Sequence, residues 1–234
     1  MINDFIKIEK QEYKQVVFTG CGGMIAYYFG IAKFLQENYN LDNIIFGGVS
    51  GGSIIALFLN KKENIDTIKK YWDEMLNCIN DCKTGSLFNT LDILRNILSK
   101  YINDKKDDDF FKNLNYKYFV SISGLYLEKK NIHFWYNNDD LIESIISSCS
   151  LPLLGKNLVN EFRESYCLDG VFLNNYPVLY KELPIFYITP FKFRSIINPS
   201  WFYIYGDMDW FLKLYEIGYN DAIENKSVLD EFFL

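Results

Sequence analysis

The sequence predicts an α/β protein. Three observations carry that expectation: two consecutive strand, glycine-turn, helix units near the start, a pair of amphipathic helices after them, and scattered β-type runs in the second half. In the first unit Lys14–Thr19 is a short, mostly apolar β-type run ending at Gly20, Gly22 and Gly23, and a helical stretch follows from about Ile25 to Asn38. In the second, Asn43–Val49 reads as a buried strand and Ser50–Asn60 as a buried helix. Two such units in succession predict parallel strands joined by right-handed crossovers, and so a layered domain.

Further along, Ile65, Ile68, Trp72, Met75, Leu76 and Ile79, then Leu91, Leu94, Leu98 and Tyr101, recur at three- and four-residue spacing, as the apolar faces of two helices do. Asn103–Asp109 is polar and charged, a solvated loop. Alternation in Tyr118–Ser123 and again in Ile132–Tyr136 predicts two adjacent strands across a turn at Glu128–Asn131. Asp139 or Asp140 is expected to cap a helix running to Cys149, stopped by Ser150-Leu151-Pro152. A short strand near Tyr166–Leu168 leads to Asp169-Gly170, and Ile185–Thr189 is another strand bracketed by Pro184 and Pro190. Trp210, Leu214 and Ile217 mark a helical C-terminal part. With no repeat, linker or low-complexity tract, residues 1–234 are expected to form a single domain, its motif-bearing core at about 14–190 and a helical segment at about 205–234.

Composition narrows the function classes. Lys and Arg number 24 against 30 Asp and Glu, a net charge of -6, so the basic footprint of a nucleic-acid binder is missing and simple adhesion to anionic lipid is disfavoured. Five cysteines (Cys21, Cys78, Cys82, Cys149, Cys167) are odd in number and irregularly spaced, and Met1–Lys10 alternates charged with apolar residues unlike a secretory signal. A reducing, cytoplasmic setting is expected, for a protein soluble or peripherally bound to membranes. The longest uncharged apolar stretch, Ile44–Leu59, is too short to span a bilayer and is broken by glycines and serines. A single histidine, His133, leaves little room for mechanisms built on a histidine base or a multi-histidine metal site. No metal and no cofactor is implied.

Gly48-Val49-Ser50-Gly51-Gly52 is a G-x-S-x-G sequence at the point where a predicted strand becomes a predicted helix. A serine on such a turn sits in strained backbone, glycine lets the neighbouring chain approach, and the helix N-terminus favours developing negative charge. The competing reading is a glycine-rich packing turn. Gly20-Cys21-Gly22-Gly23 offers successive backbone N–H groups for an oxyanion at the end of the neighbouring strand. It also partly imitates a dinucleotide turn, but the third small position is Ile25, and the next strand ends in Gly-Gly-Val-Ser rather than in an acid for a ribose. For a base, His133 reads as an ordinary strand histidine. Asp169 follows a short apolar strand much as the two glycine turns do, which makes it a candidate general base, although Asp-Gly is also a common turn pair.

At this point the chain resembles the patatin-like phospholipases. Four blocks carry the resemblance in the family's order: Phe18-Thr19-Gly20-Cys21-Gly22-Gly23 with Gly30; Gly48-Val49-Ser50-Gly51-Gly52; Ser147-Ser148-Cys149-Ser150-Leu151-Pro152; and Asp169-Gly170-Val171 with Asn175 and Pro177. The resemblance implies a three-layer α/β/α fold with a mostly parallel central sheet, and lipid acyl hydrolysis by a Ser-Asp dyad. In it Ser50 is the nucleophile, Asp169 its base, and the N–H groups around Gly20, Gly22 and Gly23 the oxyanion donors, with Gly48, Gly51, Gly52 and Gly170 shaping the turns. Met24 and Ile25 stand where the family often has a basic residue and a glycine, and Val171 where glycine or alanine is usual. The implied partner is a phospholipid or neutral-lipid ester. A transacylase, or a lipid-binding module with weakened turnover, are the rival readings. Trp201-Phe202-Tyr203-Ile204-Tyr205 with Trp210-Phe211 is the candidate surface for peripheral membrane contact, against the plainer reading of a last strand and helix packed on the sheet.

Overall fold

The computed structural model describes residues 13–81, 86–152, 154, 157–203 and 207–234, without the side chains of 86–88. Met1–Lys10, Cys82 and Ile204-Tyr205, all singled out above, lie outside the described residues. Strand β1 (Lys14–Phe18) passes through a 3-10 turn at Gly22–Met24 into α1 (Ile25–Asn38), whereas β2 (Ile44–Val49) runs straight into α2 (Gly51–Asn60). The amphipathic pair follows as α3 (Ile65–Asp81) and α4 (Ser86–Asp104), with Ile65, Ile68, Trp72, Met75, Leu76 and Ile79 buried along one stripe of α3. Then come β3 (Tyr118–Gly124), β4 (Lys129–Ile132), α5 (Asn138–Ser148), β5 (Asn160–Phe162), β6 (Ser165–Asp169), β7 (Ile185–Ile188), α6 (Met208–Glu224) and α7 (Lys226–Phe233).

The strands make one mixed, mostly parallel sheet in the order β5-β6-β3-β2-β1-β7, with β4 also on β3. β1 pairs in parallel with β2 and β7, and β2 with β3, while β4, β5 and β6 run antiparallel to their partners. The register at β3 decides the geometry of the site. β4 occupies one edge of β3 from Val120 to Ser123, so β2 and β6 must share the other edge. β2 fills it as far as Val49 opposite Ser121, and β6 takes over with Asp169 opposite Ile122. Two strands running in opposite directions thus end nose to nose on the same edge, bringing Ser50 and Asp169 together.

Alternate residues of β1, β2 and β3 divide between two cores. Val16, Phe18, Phe46 and Val120 pack with the helices, while Val17, Ile45 and Phe119 face a smaller cluster closed by Leu179, Tyr180 and Leu183. Among the described residues, the layer on this second face is chain between β6 and β7 that has no α-helix. It is fixed by Gln15, fully buried, whose side-chain carbonyl accepts from the N–H of Leu179 (3.2 Å) and Tyr180 (3.0 Å) and whose amide donates to the Tyr180 carbonyl (2.7 Å). On the helical face α1 and α6 meet backbone to backbone: a Cβ on Gly30 would lie 2.0 Å from the Tyr215 carbonyl oxygen, and one on Gly218 2.0 Å from that of Tyr27.

Two local expectations are corrected. The strand after β3 is Lys129–Ile132, not Ile132–Tyr136, and the turn before it lies at Leu125–Leu127, where Leu127 takes φ 64° and Gly124 N–H bonds the Glu128 carbonyl (2.7 Å). As an edge strand it tolerates lysines, whereas the apolar alternation beyond it buries Trp135. The cap of α5 is Asn137, whose side chain accepts from Asp140 N–H (2.8 Å); a cap needs extended backbone, and Asp139 and Asp140 already sit in the first turn.

Candidate active site

Ser50 occupies the whole of the turn between β2 and α2 and takes φ 53°, ψ -133°, a conformation that costs a non-glycine residue roughly 1–3 kcal/mol. Packing enforces it: a Cβ on Gly48 would lie 2.3 Å from Ser53 Cα, and one on Gly52 2.3 Å from the Phe18 carbonyl oxygen. The Ser50 carbonyl accepts from Ser53 N–H (2.9 Å) and from the Ser53 hydroxyl (2.6 Å). Its own N–H donates to Ser148 Oγ (2.8 Å), and the Ser148 hydroxyl donates onward to the Ser121 carbonyl (2.7 Å).

Asp169 closes β6 and is fully buried. Its backbone N–H donates to the Ser150 carbonyl (3.0 Å) and its Oδ1 accepts from Val171 N–H (2.9 Å), while Oδ2 has no hydrogen-bond partner. Burial pushes the carboxyl from the ordinary 3.8 up to about 7; the Val171 N–H and the Ser50 hydroxyl pull it back by less. Ser50 is thus close enough to act on this carboxyl although no completed hydrogen bond joins them, a common state for such pairs without substrate. Gly170 lies against the Ser121 carbonyl and Val49, seating the carboxyl beside the β2 end.

The glycine-rich turn lies alongside. A Cβ built on Gly20 would be 3.6 Å from Ser50 Cβ, and the Gly20 N–H donates to Asn175 Oδ1 (2.9 Å). Gly22 has φ 52° and shares a pocket with Ser50 and Gly51. Gly23 packs under the carbonyls of Trp201 and Tyr203 beside the 3-10 turn Pro199–Phe202, and the chain leading into that turn is anchored through Arg194, which donates to Asp221 of α6 (Nε, 2.8 Å). Met24 is wholly buried, Ile25 turns its side chain into the pocket, and the Val171 side chain packs onto Gly20. The pocket is a partly open, mostly apolar recess of about 40 Å³ beside Ser50, walled by Ile25 and Ile54, by Trp72 and Met75 of α3, and by Leu91 and Leu94 of α4. Cys149 also lines it, its thiol pushed up by burial and by nearby Asp169.

His133 lies elsewhere. Its carbonyl accepts from Tyr116, just before β3, so it sits at the end of the sheet opposite Ser50, and its Nδ1 pairs with the Asn131 carbonyl (3.1 Å). Of the aromatic run, Phe211 is fully buried and Trp201 and Trp210 pack against the main core, leaving Phe202 and Tyr203 exposed. Cys21, Cys78, Cys149 and Cys167 are free thiols. Among the described residues no group of His, Cys, Asp and Glu is placed to hold a metal ion, and no helix is long and apolar enough to cross a membrane. The sequence offered no sign of the tasks done by Ser148, Ser150 and Asn175: each holds a backbone N–H of a residue far away in the chain, and only the small-residue block and the Asn-x-Pro hinted that these positions matter.

Among solved structures the chain is similar to the crystal structure of VipD from Legionella pneumophila, at 13% identity and a TM-score of 0.42 over 76% of this chain and 50% of that one, so it spans half that chain's length. No curated protein matches it. The family model for patatin-like phospholipase matches residues 16–180, well over half of the sequence. The chain belongs to the patatin-like phospholipase family.

Proposed function

We propose that the protein is a lipid acyl hydrolase that cleaves carboxylic esters through an acyl-enzyme, with Ser50 as nucleophile and Asp169 as general base, and that residues 1–234 act as one domain. The observation that carries this reading is the buried, unpartnered Oδ2 of a carboxyl raised to about 7, beside a serine hydroxyl held on a strained strand-to-helix turn. Asp169 takes the Ser50 proton as Oγ attacks the ester carbonyl, and returns it to the leaving alkoxide as the C–O bond breaks. A water activated by the same carboxylate then attacks the acyl-serine, releasing the acid and restoring Ser50. Of the three glycines expected as oxyanion donors, Gly22 and Gly23 keep that role in this scheme, joined by the N–H of Gly51; Gly20, whose N–H is bonded to Asn175, instead holds their turn in place. Exposed Phe202 and Tyr203, next to the glycine turn, are the points of peripheral membrane contact.

A fluorophosphonate probe is expected to label the protein at Ser50, and lipid mass spectrometry to show free acid released from ester lipids by wild type but not by Ser50→Ala. Label retained after Ser50→Ala, or undiminished product, would overturn the assignment.

A further inference from the structure

The glycine turn that carries the oxyanion donors of this scheme is pressed from outside by backbone of the C-terminal part. A Cβ on Gly22 would lie 2.8 Å from the Phe202 carbonyl oxygen, and one on Gly23 1.9 Å from that of Tyr203 and 2.8 Å from that of Trp201. Carbonyls packed this closely on glycine backbone fix where the N–H groups of the turn point, so whatever holds residues 201–203 also aims the donors.

One carboxylate grips the turn from both sides. Asp221, buried on α6, accepts from Arg194 at both oxygens (Nε to Oδ2, 2.8 Å; Nη2 to Oδ1, 2.5 Å) and from the Tyr27 hydroxyl at Oδ2 (2.9 Å). Arg194 belongs to the segment leading into Pro199–Phe202, and Tyr27 is the third residue of α1, which the glycine turn enters. Resting on the hydrolase reading above, we propose that Asp221, with Arg194, is a positioning residue for ester hydrolysis, setting the oxyanion donors through the 201–203 backbone without touching substrate. It lies beyond residue 180, where the match to the family model ends. The planar guanidinium meets both carboxylate oxygens at once, which a lysine cannot do. Phe193, Ile197 and Trp201 also hold the segment on the core, so loss of the ion pair shifts the segment rather than releasing it.

The test follows p-nitrophenyl butyrate hydrolysis by the full chain, with kcat taken per site titrated by fluorophosphonate. Arg194→Gln is expected to lower kcat about tenfold with KM within about twofold of wild type, and Arg194→Lys to recover part of the loss. Asp221→Asn should match Arg194→Gln; if it fails to fold, Arg194→Gln, at a side chain about a third exposed, still decides the matter. The rise of kcat/KM with pH through about 7 should survive in each variant, since Asp169 is not disturbed. Added to Gly23→Ala, which already shifts the turn, Arg194→Gln should lower kcat by less than about threefold further. An unchanged kcat per titrated site with only the urea midpoint lowered, or a full tenfold loss on top of Gly23→Ala, would overturn the positioning role while leaving the hydrolase reading intact. Wild type that cleaves no ester and resists fluorophosphonate would sink both.

Discussion

Two turns lie side by side at one end of the sheet. Between β1 and α1 the chain takes the residues from Thr19 to Met24, including a 3-10 turn, before the α-helix begins; between β2 and α2 it takes Ser50 alone. Both leave buried parallel strands, and Phe18, the last residue of β1, pairs with Gly48, one residue before the end of β2. The longer turn is half glycine and lays backbone along the cleft, whereas the shorter one compresses its whole change of direction into one residue and pushes that side chain out. Backbone donors and a reactive side chain thus come from the same supersecondary unit used twice, and the number of residues in the turn decides which is offered. Asp169 completes the pair from an antiparallel strand that ends where β2 ends.

The strongest way to break this comparison is to remove the acid while leaving both turns alone. Asp169→Asn is expected to lower kcat/KM about a thousandfold. In wild type kcat/KM should rise with pH through about 7, as the buried carboxyl ionises, and the variant should lack that limb. Stability runs the other way. Because the folded carboxyl ionises only near 7 against 3.8 unfolded, wild type loses stability as pH rises between those values, by something on the order of 4 kcal/mol, and urea unfolding of Asp169→Asn should show no such loss. Next in size, Gly23→Ala attacks the longer turn: its Cβ would lie 1.9 Å from the Tyr203 carbonyl oxygen, and shifting the donors should cost about a hundredfold in kcat with Ser50 unchanged. Ser148→Ala loosens the shorter turn by leaving the Ser50 N–H buried and unpaired, for about 1–3 kcal/mol in urea unfolding and about a tenfold drop in fluorophosphonate labelling rate, with Ser148→Thr restoring part of it. His133→Asn, at the far end of the sheet, should leave ester hydrolysis within about twofold of wild type.

Both turns were legible in the sequence because glycine punctuates them and because β2 reads as a continuous apolar run and β1 as a mostly apolar one. The amphipathic helices were legible from their stripes. β4 was not: an edge strand of Lys129, Lys130, Asn131 and Ile132 has no apolar period, and the neighbouring aromatics drew the strand three to four residues too far on. The braces of the site escaped for a different reason. Ser148 reaches Ser50 across 98 residues and Asn175 reaches Gly20 across 155, each by one polar side chain on one N–H, and nothing local in a sequence marks such a bond. Nor could it show that α-helix is missing, among the described residues, from the chain between β6 and β7.

That last feature has a kinetic consequence. Gln15 grips the layer over the second face through main-chain groups of Leu179 and Tyr180, and Asn175, which holds the Gly20 amide, belongs to the same stretch. A layer with one 3-10 turn (Gly170–Phe172) and no α-helix among its described residues opens by local fluctuation at far smaller cost than the helical core. Its amides should exchange with solvent early, and each opening releases Gly20 from Asn175 while the helices stay folded. On warming, catalytic competence would then fade before the cooperative melt, set by the lifetime of a glutamine-held strap rather than by the hydrophobic core.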